Sequence, residues 1–121
     1  MGYFFGNASR SYVILEKTDM VGAFFEKYPR MRRLISINKR YTGRRHPDFN
    51  LRHDWNSLLS HKPDLLFTKY TEKYYPHADD YLRYLDDYAN TFDLNIHYRT
   101  TVTSIGRPAN SSSSSDRCQS R

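Results

Sequence analysis

Apolar and polar positions change rhythm several times along this 121-residue chain, and each change marks an element. Residues 12–15 (YVIL) form a continuous apolar, β-rich run bracketed by polar residues. Such a run is too short for a helix and predicts a strand buried on both faces, the kind found mostly in parallel sheets. It stops at Glu16, so an acid stands at the carboxyl end of the strand, where open α/β sheets bind their ligands. On these residues alone two readings of Glu16 stay open, a solvated strand end or an acceptor of hydrogen bonds from a ribose hydroxyl. Upstream, residues 1–8 (MGYFFGNA) read as the last turns of a helix, with Tyr3, Phe4 and Phe5 packing and Ser9-Arg10 turning into the strand.

Downstream of Lys17, Gly22 allows a close backbone approach and is followed at once by Phe24 and Phe25. Residues 33–37 (RLISI) alternate weakly and predict a short strand. Residues 38–54 are polar, basic and rich in turn formers (Gly43, Pro47, Asn50), which predicts a long loop of the functional or poorly ordered kind. Residues 53–56 (HDWN) lead into Leu58-Leu59 as one helical turn. The clearest rhythm begins after Pro76. Tyr81, Leu82, Tyr84, Leu85, Tyr88, Ala89 and Phe92 recur three and four apart, with Asp79 and Asp80 at the favourable end of the helix dipole. Asp93 ends that helix, residues 94–98 alternate as a strand, and residues 100–105 (TTVTSI) are a further β-rich piece. Strand, long connection, amphipathic helix and strand make a βαβ unit, whose strands should run parallel with a right-handed crossover. The fold class expected is therefore α/β. From residue 106 the chain turns Ser-rich and cannot bury enough apolar surface to order itself, which predicts a disordered tail over residues 106–121.

Composition narrows the function classes. The length suits one domain or part of one. The one cysteine, Cys118, excludes an internal disulfide framework and a Cys-based zinc site. No apolar run approaches bilayer-spanning length, so no membrane span is expected. The first residues lack the pattern of a signal peptide, which implies a cytosolic product for the chain as written. Gly2 lacks the Ser or Thr that a myristoylation motif needs at the sixth position, and the residues after Cys118 are not those of a prenylation site. Asn7-Ala8-Ser9 and Asn110-Ser111-Ser112 fit the glycosylation sequon, a pattern that chance produces often. His46, His53, His61, His77 and His97 are scattered without metal-ligand spacing. No catalytic constellation is visible.

The net charge of +6 is concentrated in one segment. Residues 27–47 carry Lys27, Arg30, Arg32, Arg33, Lys39, Arg40, Arg44 and Arg45 and no acid. Such a segment reads either as a solvated or anion-facing loop, or as a surface that a small basic protein uses on RNA or on an acidic protein, with binding that weakens steeply as salt rises. Only Tyr28 and Tyr41 lie among those cations, so stacking support within the segment is thin. Tyr70, Tyr74 and Tyr75 beside Lys69 and Lys73 offer either base stacking or ordinary packing.

With these elements in order, the segment 16–105 resembles the N-terminal FAD-binding part of flavin-containing monooxygenase-like oxidoreductases. The residues that carry the resemblance are 33–43 (RLISINKRYTG) and 49–59 (FNLRHDWNSLL), and residues 81–105 match a pattern shared more broadly by such monooxygenases. The resemblance implies a partial Rossmann-like FAD/NAD(P)-binding domain over residues 1–105. It implies that Glu16 holds the adenosine ribose with Lys17 beside it, and that Gly22 and Phe24 occupy a Gly-Gly-x-Trp turn near the flavin, where Val21 and Phe24 replace the first Gly and the Trp. Asn38 would lie toward the isoalloxazine ring and the backbone of Val102 would meet the adenine. FAD is the implied cofactor and NADPH the implied co-substrate. The nearest members imply the lumen of the endoplasmic reticulum and factors of endoplasmic-reticulum-associated degradation; DNA is not an implied partner. The family's first strand and its Gly-x-Gly-x-x-Gly turn belong ahead of Met1, so the expectation is a truncated fragment with weak FAD affinity at best and no activity alone.

Overall fold

In a computed structural model that describes residues 1–107, the chain runs α1 (Gly2–Asn7), β1 (Ile14–Leu15), α2 (Phe24–Lys27), α3 (Pro47–His53), a 3-10 turn (Phe67–Lys69), α4 (Ala78–Thr91) and β2 (Ile96–His97). The core is built on α4. His77 caps its first turn by accepting the Asp79 amide on Nδ1 at 3.3 Å, and Asp79 and Asp80 lie where the helix dipole favours negative charge. Its spacing of apolar residues carries Ala78, Tyr84, Tyr88 and Ala89 inward.

Around that face gather Tyr3 from α1, Leu34, Leu65 and Phe67, with Phe25, Tyr81, Leu85 and Phe92 packed against them. Tyr84 and Phe67 are fully buried, their rings 5.6 Å apart and inclined at 64°, an edge-to-face geometry that aromatic pairs favour. Phe25 of α2 meets Tyr81 edge-on at 4.7 Å and so seats α2 on α4. Three tyrosine tips find polar partners in one neighbouring strap. The Leu58 amide donates to the Tyr84 hydroxyl at 2.6 Å, the Tyr88 hydroxyl donates to the Leu59 carbonyl at 2.7 Å, and the His61 amide donates to the Tyr3 hydroxyl at 3.1 Å. A tyrosine core thus fixes a loop as well as itself.

Burial raises the pKa of Tyr81, Tyr84 and Tyr88, and burial with the Asp87 carboxylate beside its hydroxyl pushes Tyr70 up to about 12. A raised folded-state pKa means the native state favours the neutral phenol. That contribution is complete below the ordinary tyrosine pKa of about 10 and is lost as pH climbs above it. The expected result is alkaline unfolding that coincides with phenolate absorbance, measured by circular dichroism and ultraviolet titration on the same samples. Phenolate signal rising fully while the helix signal stays intact would overturn it.

The strands pair in parallel, Ile14 opposite Ile96 and Leu15 opposite His97, as the βαβ reading requires. They are shorter than the apolar runs that announced them. Val13 and Leu15 are 46% and 41% exposed, so the run 12–15 is buried on one face and not on both. The Ile14 and Glu16 amides donate to the Asn95 and His97 carbonyls, at 2.9 Å each. Alternation along the ladder therefore turns the Val13 and Leu15 amides toward the opposite edge, where no described strand lies.

Four other expectations are corrected. Residues 33–37 form no strand. They make one antiparallel bridge, Arg33 to His77, flanked by bonds from the Leu34 amide to the Pro76 carbonyl and from the Asn38 amide to the Tyr74 carbonyl. Pro76 has no amide to return, so the ladder cannot extend. Residues 38–54 are not all loop, because Pro47 opens α3 from its first turn, the position proline tolerates in a helix. His53 ends α3 and residues 54–59 form no helical turn; the Asp54 carboxylate instead accepts the amides of Asn56 and Ser57 at 3.1 and 3.0 Å. Residues 100–105 make no strand, for beyond the bond from the Thr100 amide to the Glu16 carbonyl no described strand is there to pair with them. The disordered tail expected over residues 106–121 falls, from residue 108 onward, outside the described residues.

Candidate functional site

The end of β1 is where a charged group meets an apolar cavity. Pairing fixes the backbone of Glu16 on both sides, its amide donating to the His97 carbonyl and its carbonyl accepting the Thr100 amide, each at 2.9 Å. The side chain is fixed as well. Oε1 accepts the Thr18 amide and the Thr18 hydroxyl, both at 2.8 Å. Those two bonds hold the carboxyl below its ordinary pKa, the backbone amide more than the hydroxyl, so Glu16 is ionised at neutral pH. Both Thr18 bonds fall on Oε1, and the Lys17 amide lowers the pKa a little further, so Oε2 keeps acceptor capacity for a ligand.

Glu16 borders an open cleft of about 410 Å³ lined by Gly2 of α1, Ile14 and Ile96 of the two strands, Leu85 of α4, and Leu59 of the strap that the tyrosines hold. Gly22 forms part of the same wall. It lies at φ +69°, and a Cβ built on it would come 2.5 Å from Leu85 Cδ1. The positive φ favours glycine there, and a Cβ would require Leu85 to move. The chemistry offered is an apolar slot with a single anionic acceptor at its rim. That combination suits a flat, uncharged ring system carrying hydroxyl donors.

Of the six residues singled out by resemblance, the cavity brings together Glu16 and Gly22. Lys17 is exposed and is not part of the wall. Phe24 is 64% exposed and stacks on Tyr28 with ring centroids 5.2 Å apart. Val102 is also exposed, in the irregular segment after β2. Asn38 is buried away from the cavity. Its amide donates to the Tyr74 carbonyl and its Nδ2 to the Thr71 carbonyl at 2.7 Å, while its buried Oδ1 has no partner among the described residues. Thr18, which orients Glu16, and the wall residues Leu59 and Leu85 were not singled out from sequence. The Glu-x-Thr spacing is the signal for Thr18, since a hydroxyl and amide two residues on can reach back to a carboxylate. Among the described residues no group of three or more His, Cys, Asp or Glu could hold a metal ion, and no helix is long and apolar enough to cross a membrane.

A parallel strand pair joined through a helix, with an acid at the carboxyl end of its first strand, places that acid where open α/β sheets bind their ligands. Residues 1–113 match the family described as pyridine nucleotide-disulphide oxidoreductase, and the chain belongs to that family. Among curated proteins it is similar to FAD-dependent oxidoreductase domain-containing protein 2 of Danio rerio, 54% identical over 105 residues, which is 87% of this chain and 15% of that protein. The protein of the same name from Mus musculus is 50% identical over 105 residues, again 87% of this chain and 16% of that protein. The chain therefore spans about one sixth of the length of these relatives. No solved structure matches it.

Proposed function

We propose that residues 1–105 are part of the FAD-binding domain of an oxidoreductase, and that Glu16 accepts hydrogen bonds from the adenosine ribose of FAD at the mouth of the cavity. The observation that carries this reading is the Glu16 carboxylate itself, ionised and oriented through Oε1 by Thr18 at the mouth of an apolar cleft that Gly22 also lines. Within the domain Lys17 would flank the ribose, Phe24 would face the flavin, Asn38 would lie toward the isoalloxazine ring, and the Val102 backbone would meet the adenine. FAD supplies hydride and electron transfer when bound. The residues here would supply ribose recognition and an apolar surface for the base.

Sequence resemblance supports a finer reading of the longer protein as a monooxygenase-like flavoenzyme. It would draw electrons from NADPH and work in the endoplasmic reticulum lumen beside factors of endoplasmic-reticulum-associated degradation. Within this sequence the glycines stand at positions 2, 6, 22, 43 and 106, nowhere in the Gly-x-Gly-x-x-Gly spacing that cradles a pyrophosphate. This chain alone should therefore hold adenosine weakly and retain no flavin through gel filtration. The test is a titration of the purified chain with adenosine, read by amide chemical shifts, alongside visible absorbance after FAD is added and the excess removed. Saturable shifts at Glu16 and Gly22 that vanish in Glu16→Ala are expected, with no retained flavin. Shifts that persist in Glu16→Ala would remove the ribose role, and a stoichiometric flavin spectrum would overturn the weak-affinity argument.

A further inference from the structure

The basic segment carries a surface that the cavity does not explain. Sequence supplies its cations between residues 27 and 47, and the structure delivers aromatic rings to them from farther along the chain. Asn56 donates through Nδ2 to the Ser36 and Ile37 carbonyls at 3.3 and 3.5 Å, which carries Trp55 under Lys39, whose ammonium lies 4.7 Å from the ring centroid. At the other end Thr42 bonds to Asn50 Oδ1, and Asn50 Nδ2 donates to the Arg44 carbonyl at 3.2 Å. Those bonds fold the 42–44 turn onto α3 and set the Arg44 guanidinium 5.9 Å from the Phe49 ring. Between them Arg40 lies 5.4 Å from the ring of Tyr41.

Trp55 and Tyr41 are 71% and 86% exposed, so these rings are not core. Arg40 is paired with Glu72 at 2.7 Å, whereas Lys39, Arg44 and Arg45 have no acidic partner among the described residues. Asp54, the acid nearest Trp55 in sequence, spends its carboxylate on the Asn56 and Ser57 amides. Cations interleaved with open aromatic faces, held by side-chain-to-backbone bonds, are the surface on which bases stack while phosphates are neutralised. An acidic peptide would use the charges and leave Trp55 and Tyr41 without a role. The geometry points to a binding face for single-stranded nucleic acid formed by Lys39, Arg40, Tyr41, Arg44, Arg45 and Trp55.

Trp55 is the sole tryptophan of the chain, so its emission reports this face directly. The experiment titrates the full chain with a uridylate dodecamer, a deoxythymidylate dodecamer and a glutamate dodecapeptide. Saturable quenching of Trp55 by both oligonucleotides is expected, with none by the peptide. The three unpaired cations, each neutralising one phosphate, predict a binding constant about twenty-fold weaker at 200 than at 50 mM salt, and Arg44→Gln with Arg45→Gln should cut the logarithmic salt slope by about two thirds. Tyr41→Ala should weaken binding about five-fold or more without changing the circular dichroism. Equal affinity for the two oligonucleotides would place recognition on phosphate and base faces, and a preference for uridylate would add a 2′-hydroxyl contact; both outcomes support the face. Flat emission with the oligonucleotides, or displacement of them by the peptide at equal concentration, would overturn the proposal.

Discussion

Tyr84→Ala should abolish cooperative unfolding of this chain. The ring is fully buried and touches Phe67, Tyr70, Tyr81 and Tyr88, with centroids 5.2 to 6.1 Å away. Truncating a buried aromatic of that size costs about 3–5 kcal/mol. A small domain whose sheet is two strands of two residues belongs at the low end of the usual range of about 5–15 kcal/mol, so the loss approaches the whole. Tyr84→Phe separates the two roles of the residue. It keeps the packing, strips the acceptor from the Leu58 amide, and should cost about 1–2 kcal/mol. Urea unfolding followed by circular dichroism and by Trp55 emission measures both. A cooperative Tyr84→Ala transition within about 1 kcal/mol of the parent would show that the core is not organised on this ring.

The second large effect is expected at Gly22. An alanine there must take a left-handed backbone angle at φ +69°, which costs about 1–2 kcal/mol for a residue with a Cβ. Its methyl group would also stand 2.5 Å from Leu85 Cδ1, and forcing an extra methyl into packed surroundings costs about 1–3 kcal/mol more. The two costs can be told apart. In the Leu85→Ala background the clash is gone and the backbone cost remains, so Gly22→Ala should be milder there, and a double-mutant cycle gives the difference as a coupling energy. Zero coupling would mean that Leu85 swings away without penalty and that the backbone angle alone demands glycine.

How far the sequence could be read depended on where the deciding partner lies. Helix α4 was plain because its apolar residues and its cap sit within one short stretch, from His77 to Phe92. Both strands were found in place, yet their lengths were overestimated, since a strand extends only as far as a neighbour pairs with it. Residues 33–37 alternate like a strand, and what stops them is Pro76, forty residues away. Pro47 reads as a turn former in the sequence although it opens α3, and Asp54 stops any helix after His53 by capturing two amides. At the site, an acid closing an apolar run and a glycine ahead of two aromatics were visible as residues. The cavity between them was not, because its walls come from α1, both strands, α4 and the Leu58–Leu59 strap. The cation–aromatic face was hidden for the same reason, with Trp55 and Phe49 lying outside the basic segment that they complete.

The pairing of Ile14 with Ile96 also sets an order of events. About 80 residues separate the partners, and at about 5–20 residues per second of synthesis β1 waits roughly 4 to 16 s for β2 to be made. During that interval the edge of β1 that later receives β2 stays unpaired. Closing so long a loop comes late in folding and slows it, whereas α4 and its aromatic neighbours can form early from local contacts. Newly made chains should therefore collapse on the tyrosine core first and acquire the Glu16 geometry last.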